Sequence, residues 1–289
     1  MKNKREDLKF KKRIVVKIGS SSLQHAQTGG MDYARMEKLV RELCNLKNRG
    51  MDVILVSSGA IAAGRNAVNM KAHRTGCGAM TMAEKQACSA IGQARLMMTY
   101  QKLFGEYNQL TAQILMTKNT VLDDTNRINA INTFTELMDM GAIPVVNEND
   151  TVATHEIEIG DNDTLSAIVS AMVGADLLIL LSDIKGLYTD DPRKNPDAKL
   201  LDTVEDLTDE ILEMGKGSTG SSVGTGGMNT KLTAAQIATR SGADMIICSS
   251  EDLGILNRLI DGSNEGTIFL SDPEDDFNLP GFIRNIHHD

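Results

Sequence analysis

The chain has 289 residues, 41% hydrophobic and 24% charged, a balance that fits a folded protein and excludes a disordered one. Thirty Lys plus Arg against 39 Asp plus Glu give a formal charge of -9, which argues against a nucleic-acid coat or a polybasic membrane binder. No apolar run approaches the ~18 residues of a membrane helix, and the basic stretch 1–12 leads into a strand-like run instead of a signal-peptide core, so a cytoplasmic protein is expected.

In chain order, 14–18 reads as a first strand closed by the turn 19–22. Residues 33–48 carry apolar side chains at Met36, Leu39, Val40, Leu43 and Leu46, one helix face, with Asp32 as N-cap and Gly50 as stop. A buried strand, 53–56, runs into Ser57-Ser58-Gly59-Ala60 and a helix start. After the polar stretch 66–78 come a long helix at 82–104 and a strand at 114–117. A helix at 127–140 precedes a strand at 143–146, where Pro144 predicts a strand start or a sheet edge. Residues 151–159 alternate like a hairpin. A helix at 161–173 and the continuous apolar strand 177–181 follow.

Further on, 203–214 reads as a short helix, 215–227 as a glycine-serine loop and 229–241 as a helix. Residues 245–248 read as a strand, 253–259 as a helix and 267–270 as a last strand. The acidic tail 271–289 shows no period and reads as a surface extension. Apolar strands alternating with helices imply parallel strands covered on both faces, hence a three-layer αβα sandwich with a mainly parallel central sheet.

The four cysteines form no C-x-x-C pair and the histidines no H-x-x-x-H, so no resident metal site is indicated. Chemistry is expected beyond the carboxyl ends of the strands, where an open parallel sheet binds its ligands. Lys17 with Gly19, Ser58-Gly59, Asn147-Glu148-Asn149-Asp150, Ser182-Asp183 and the glycine loop ending at Lys231 all converge there. Neither a P-loop nor a dinucleotide fingerprint has the right spacing.

Together with Gly160-Asp161-Asn162-Asp163 and Ser182-Asp183-Ile184-Lys185-Gly186-Leu187-Tyr188, these motifs resemble those of the amino acid kinases over about 14–270. The Asn-Glu-Asn-Asp and Gly-Asp-Asn-Asp elements are similar to those of the branch that acts on free glutamate. The resemblance implies a kinase domain over 13–270, between the basic extension 1–12 and the tail 271–289. It implies ATP-dependent phosphorylation of the side-chain carboxylate of L-glutamate, the first step towards proline.

By the same resemblance, Lys17 and Lys231 lie at the phosphates, and Ser58, Asp150 and Asn162 bind glutamate. Ser182 and Asp183 contact the nucleotide, and Thr225, Gly226, Gly227, Met228, Asn229, Thr230 and Lys231 form the loop that closes on it. Homo-oligomerisation and proline as a feedback ligand are further expectations. The 19 residues from Ser271 are too few for the PUA module that many bacterial members carry.

Phosphoryl transfer between two anions needs positive charge and positioning, and the substrate carboxylate is itself the nucleophile, so no general base is required. Asp163 is the expected holder of the lysines. Asp161 or Asp183 would sit near a Mg²⁺ carried mainly by the nucleotide phosphates, with an N-cap as the plainer role for Asp161. Two alternatives stay open: a sibling kinase for acetylglutamate, aspartate or UMP, and a sensor that kept the fold without the chemistry.

Overall fold

The computed structural model describes residues 5–25, 27–69, 80–154, 159–192, 194–214 and 227–286. Strand β1 (Arg13–Ile18) leads to α1 (Tyr33–Asn48), whose N-cap Asp32 accepts from the Arg35 amide. Then come β2 (Asp52–Ser57), α2 (Ala60–Ala67), α3 (Met82–Glu106) and β3 (Thr111–Met116). Helices α4 (Lys118–Leu122) and α5 (Asp124–Asp139) precede β4 (Ile143–Glu148), α6 (Asn162–Val173) and β5 (Leu177–Ser182). The rest is β6 (Thr203–Val204), α7 (Asp209–Glu213), α8 (Met228–Arg240), β7 (Asp244–Ser249), α9 (Ile255–Ile260), β8 (Thr267–Phe269) and α10 (Leu279–Asn285).

The eight strands form one sheet in the order β3-β4-β2-β1-β5-β7-β8-β6. Every neighbouring pair is parallel except β7 with β8. Side chains alternate between faces along each strand. Ile14, Val16 and Ile18 pack under α1, α3 and α9, whereas Val15 packs under α5, α6, α8 and α10. This is the expected three-layer sandwich. Lys17 shares the face of Val15, so it emerges under α6 and α8. No described helix is long and apolar enough to cross a membrane.

Four sequence expectations are refined or corrected. Pro144 stands at a strand start, as expected, directly after Ile143, and the strand is interior: Pro144 pairs with Ala112 of β3, and pairing with β2 begins one residue later, at Val145. The missing N–H therefore falls before the doubly paired part of the strand. Residues 203–214 hold both a two-residue strand, paired with β8, and the short helix α7; two residues are too few for alternation to register. No strand is described within 151–154, and 155–158 of the expected hairpin lie outside the described residues.

The termini are the fourth correction. The tail forms α10 and buries Leu279 and Ile283 in the core, while Arg240 stacks on Phe277 and Phe282. Residues 6–10 make a 3-10 turn with Leu8 fully buried. Beside it the Arg5 guanidinium donates to the carbonyls of Asp202, Ser263, Glu265 and Gly266. Within the described residues, neither 5–10 nor 277–286 is a free extension.

Candidate active site

The parallel register aligns the carboxyl ends of the central strands. Ile18 pairs with Ser57 on one side and Leu181 on the other, so Lys17, Ser58 and Ser182 share one rim. Gly59 caps α2 with φ of 110°, a left-handed conformation that a side chain would strain, and it turns the chain over Ser20. Deeper, α2 crosses α3 at two glycines. A Cβ on Gly64 would lie 1.8 Å from the Cys88 carbonyl oxygen, and one on Gly92 1.8 Å from that of Ala60. Only glycine lets α3 approach so closely.

Asp163, in the first turn of α6, is 1% exposed. Lys17 Nζ lies 2.6 Å from its Oδ1 and Lys231 Nζ 3.0 Å from its Oδ2. The Thr230 hydroxyl reaches Oδ2 as well, at 3.1 Å. Burial alone raises the Asp163 carboxyl, but the two ammonium groups outweigh it and hold the group well below the usual carboxylate range. Asp161 caps α6: its Oδ1 accepts from the Thr164 amide at 2.8 Å and its Oδ2 from the Thr164 hydroxyl at 2.7 Å. Burial, then the neighbouring Asp163 charge, push the Asp161 carboxyl up.

Asn162 Nδ2 donates to Ser58 Oγ at 2.6 Å and to Asn147 Oδ1 at 3.1 Å. Asp150 Oδ2 accepts from the Ser89 hydroxyl at 3.2 Å. Glu148, on the wall of the depression beside Asn147, accepts from the amides of Ile159 and Gly160, at 2.5 and 3.2 Å, which fixes the approach to α6. At the other end the Ser182 hydroxyl donates to Asp183 Oδ1 at 3.1 Å.

One cleft holds Lys17, Gly19, Ser20, Ser58, Asn162, Asp163, Ser182, Asp183 and Lys231. A second opening joins it through Ser20, Ser58, Asp161 and Asn162 and extends to Asp150, Arg65 and Lys85. The structure thus brings Lys17, Lys231, Asp163, Ser58, Asn162, Asp150, Ser182 and Asp183 to adjoining parts of one depression. Met228 is different: its side chain packs against the core. Gly227 caps α8 and Asn229 is exposed at its start, while Thr225 and Gly226 lie outside the described residues.

Sequence reasoning missed Ser89 and Gln93, because a polar side chain on a long helix reads as solvent-facing. Their signal was the spacing Gln86, Ser89, Gln93, which is one helical face.

The amino acid kinase family model matches residues 12–249. The chain belongs to the amino acid kinase family. Among curated amino acid kinases, it is 51% identical over 265 residues to a glutamate 5-kinase of Carboxydothermus hydrogenoformans, covering 92% of this chain and 69% of that one. It is 47% identical to a glutamate 5-kinase of Clostridium tetani, covering 92% and 97%. Solved structures share the fold at low identity. Carbamate kinase from Giardia lamblia bound to AMP-PNP matches with a TM-score of 0.66 at 16% identity, covering 91% of this chain and all of that one. UMP kinase from Ureaplasma parvum matches at 0.61 and 15%, covering 90% and 99%.

Proposed function

We propose that the chain transfers the γ-phosphoryl group of ATP to the side-chain carboxylate of L-glutamate, giving L-glutamyl 5-phosphate and ADP, the first step of proline biosynthesis. The observation that carries this reading is the junction of two subsites, Lys17–Asp163–Lys231 and Ser58–Asn162–Asp150, in a chain so similar to proteins named glutamate 5-kinase.

The substrate carboxylate oxygen attacks the γ-phosphorus and the bond to the leaving oxygen of ADP breaks. Lys17 and Lys231 stabilise the charge spread over the transferring group. Asp163 pairs with both ammonium groups and holds them in place. Asn162 uses both amide hydrogens on Ser58 and Asn147, so its Oδ1 is the atom left for substrate. An acceptor there suits the α-ammonium of glutamate, alongside the Asp150 carboxylate. Ser58 Oγ accepts from Asn162 and turns its own hydrogen outward as a donor to a substrate carboxylate.

In this reading Ser182, Asp183 and the loop from Thr225 to Lys231 hold the nucleotide. Among the described residues no group of three His, Cys, Asp or Glu side chains can hold a metal, and Asp161 is engaged by Thr164. That donor set fits Mg²⁺ carried on the phosphates, with Asp183 as the protein oxygen nearest the nucleotide end. Cytoplasmic location, self-association and proline as a feedback ligand belong to the same proposal; sedimentation and a proline titration of the activity test the last two.

ADP release from ATP and Mg²⁺, measured against glutamate, aspartate, N-acetylglutamate and UMP, tests the assignment. Turnover is expected with glutamate. Turnover with UMP or N-acetylglutamate alone would sink it, and glutamate binding without ADP release would leave a sensor.

A further inference from the structure

Helix α3 carries a polar stripe aimed at the substrate side of the rim. Gln86 Nε2 donates to the Ala153 carbonyl at 3.1 Å, and Ser89 Oγ donates to Asp150 Oδ2. Gln93 Oε1 accepts from Asn147 Nδ2 at 3.0 Å. Two turns on, Tyr100 Oη lies 2.8 Å from Ser57 Oγ, next to Ser58. Gln93 and Asn147 are 5% and 3% exposed. Among the described residues the Gln93 Nε2 has no hydrogen-bond partner, so this side chain is tied to the pocket through its oxygen alone.

That oxygen starts a chain of oriented bonds. Because Asn147 Nδ2 is held by Gln93, Asn147 Oδ1 faces Asn162. Asn162 then turns its Nδ2 inward, to Asn147 and Ser58, and leaves Oδ1 open. An amide is nearly symmetric in shape and differs end to end only in donor and acceptor character. Without an acceptor at position 93, Asn147 is free to turn end for end and offer Nδ2 to Asn162. Asn162 must then turn too, and would present N–H groups where an ammonium has to bind.

We infer that Gln93 is a positioning residue that sets the donor–acceptor polarity of the substrate pocket through Asn147 and Asn162. The inference rests on the glutamate reading of that pocket. Its mechanical basis is the Gly64–Gly92 crossing, which brings α3 close enough for the residue after Gly92 to reach β4.

The test compares Gln93→Met, similar in size but without an acceptor, with Gln93→Glu. The latter keeps Oε1 and, being buried, takes a proton and stays neutral. Gln93→Met should raise the KM for glutamate roughly tenfold or more, the scale of a buried polar group left unpaired, with kcat and the KM for ATP little changed. Gln93→Glu should restore most of the glutamate KM. In an Asn162→Ala background, Gln93→Met should add little, because both act through one bond chain.

A Gln93→Met enzyme with the parental glutamate KM would overturn the inference. So would one whose kcat falls and whose ATP KM rises in step with a lowered melting temperature, or one not rescued by Gln93→Glu. The parent enzyme is measured first: failure to release ADP with glutamate would overturn the underlying reading, independently of position 93.

Discussion

Lys17 and Lys231 stand a single carboxylate apart, one on the central strand and one on α8, each bound to its own oxygen of Asp163. Two like charges are thereby fixed near one point without closing on each other. A phosphoryl group entering between them would meet positive charge on both sides, already oriented before the reaction begins.

Lys231→Ala should lower kcat at least ~100-fold, the scale of losing a preorganised stabilising group. Since the charge is needed mainly in the transition state, kcat and kcat/KM should fall together. Steady-state kinetics decide this. A near-normal kcat with only a raised KM for ATP would assign Lys231 to nucleotide grip and leave Lys17 as the chief catalytic lysine.

Asp163→Asn leaves two buried ammonium groups without their counter-charge, and removing one partner of a buried pair costs about 3–5 kcal/mol. The pH dependence has a definite sign. A carboxyl held below its unfolded value of about 3.9 adds stability that is complete above that value and is lost as pH falls through the folded one. Urea unfolding between pH 3 and 7 should therefore show the gap between parent and variant narrowing only in acid. A constant gap would contradict the ion-pair account.

Much of this was legible beforehand, because buried parallel strands such as β5 are apolar throughout and their ends carry the chemistry. The Asp161 N-cap was readable from residue type and position, and the gathering of Lys17, Asp163 and Lys231 from the family resemblance and the charge that phosphoryl transfer needs. Other features were not. β6 is too short to show a period, and Pro280 and Gly281 hide the helix that Asn278 caps. Arg5 is one residue of the basic stretch 1–12, and nothing in that stretch marks the four carbonyls that hold it. The reversed direction of β8 left no trace in its three residues.

Gly92→Ala tests the helix crossing that supports the substrate side. The new methyl would meet the Ala60 carbonyl and the Gly64 amide nitrogen, both backbone, so the helices must part. A loss of about 1–3 kcal/mol or more is expected from such overpacking, read as a lower melting temperature. A raised glutamate KM should accompany it, because α2 begins beside Ser58. Parental stability would mean that the crossing is looser than described.

Asp150→Asn keeps shape but removes the charge offered to the α-ammonium. It should cost about 1.5–3 kcal/mol, the worth of a charge-assisted hydrogen bond, or roughly 10- to 150-fold in kcat/KM for glutamate. The KM for ATP should stay nearly unchanged, and discrimination against N-acetylglutamate should weaken. Unaltered glutamate kinetics in a variant that is folded by circular dichroism would move the amine site elsewhere.

The most direct measurement traps the product. With ATP, Mg²⁺ and L-glutamate, hydroxylamine converts an acyl phosphate into a hydroxamate and releases phosphate. The account predicts glutamyl hydroxamate in step with ADP, formed at least ~100-fold more slowly by Lys231→Ala and scarce with N-acetylglutamate. ADP formed from glutamate without hydroxamate, or hydroxamate formed only from another carboxylate, would contradict it.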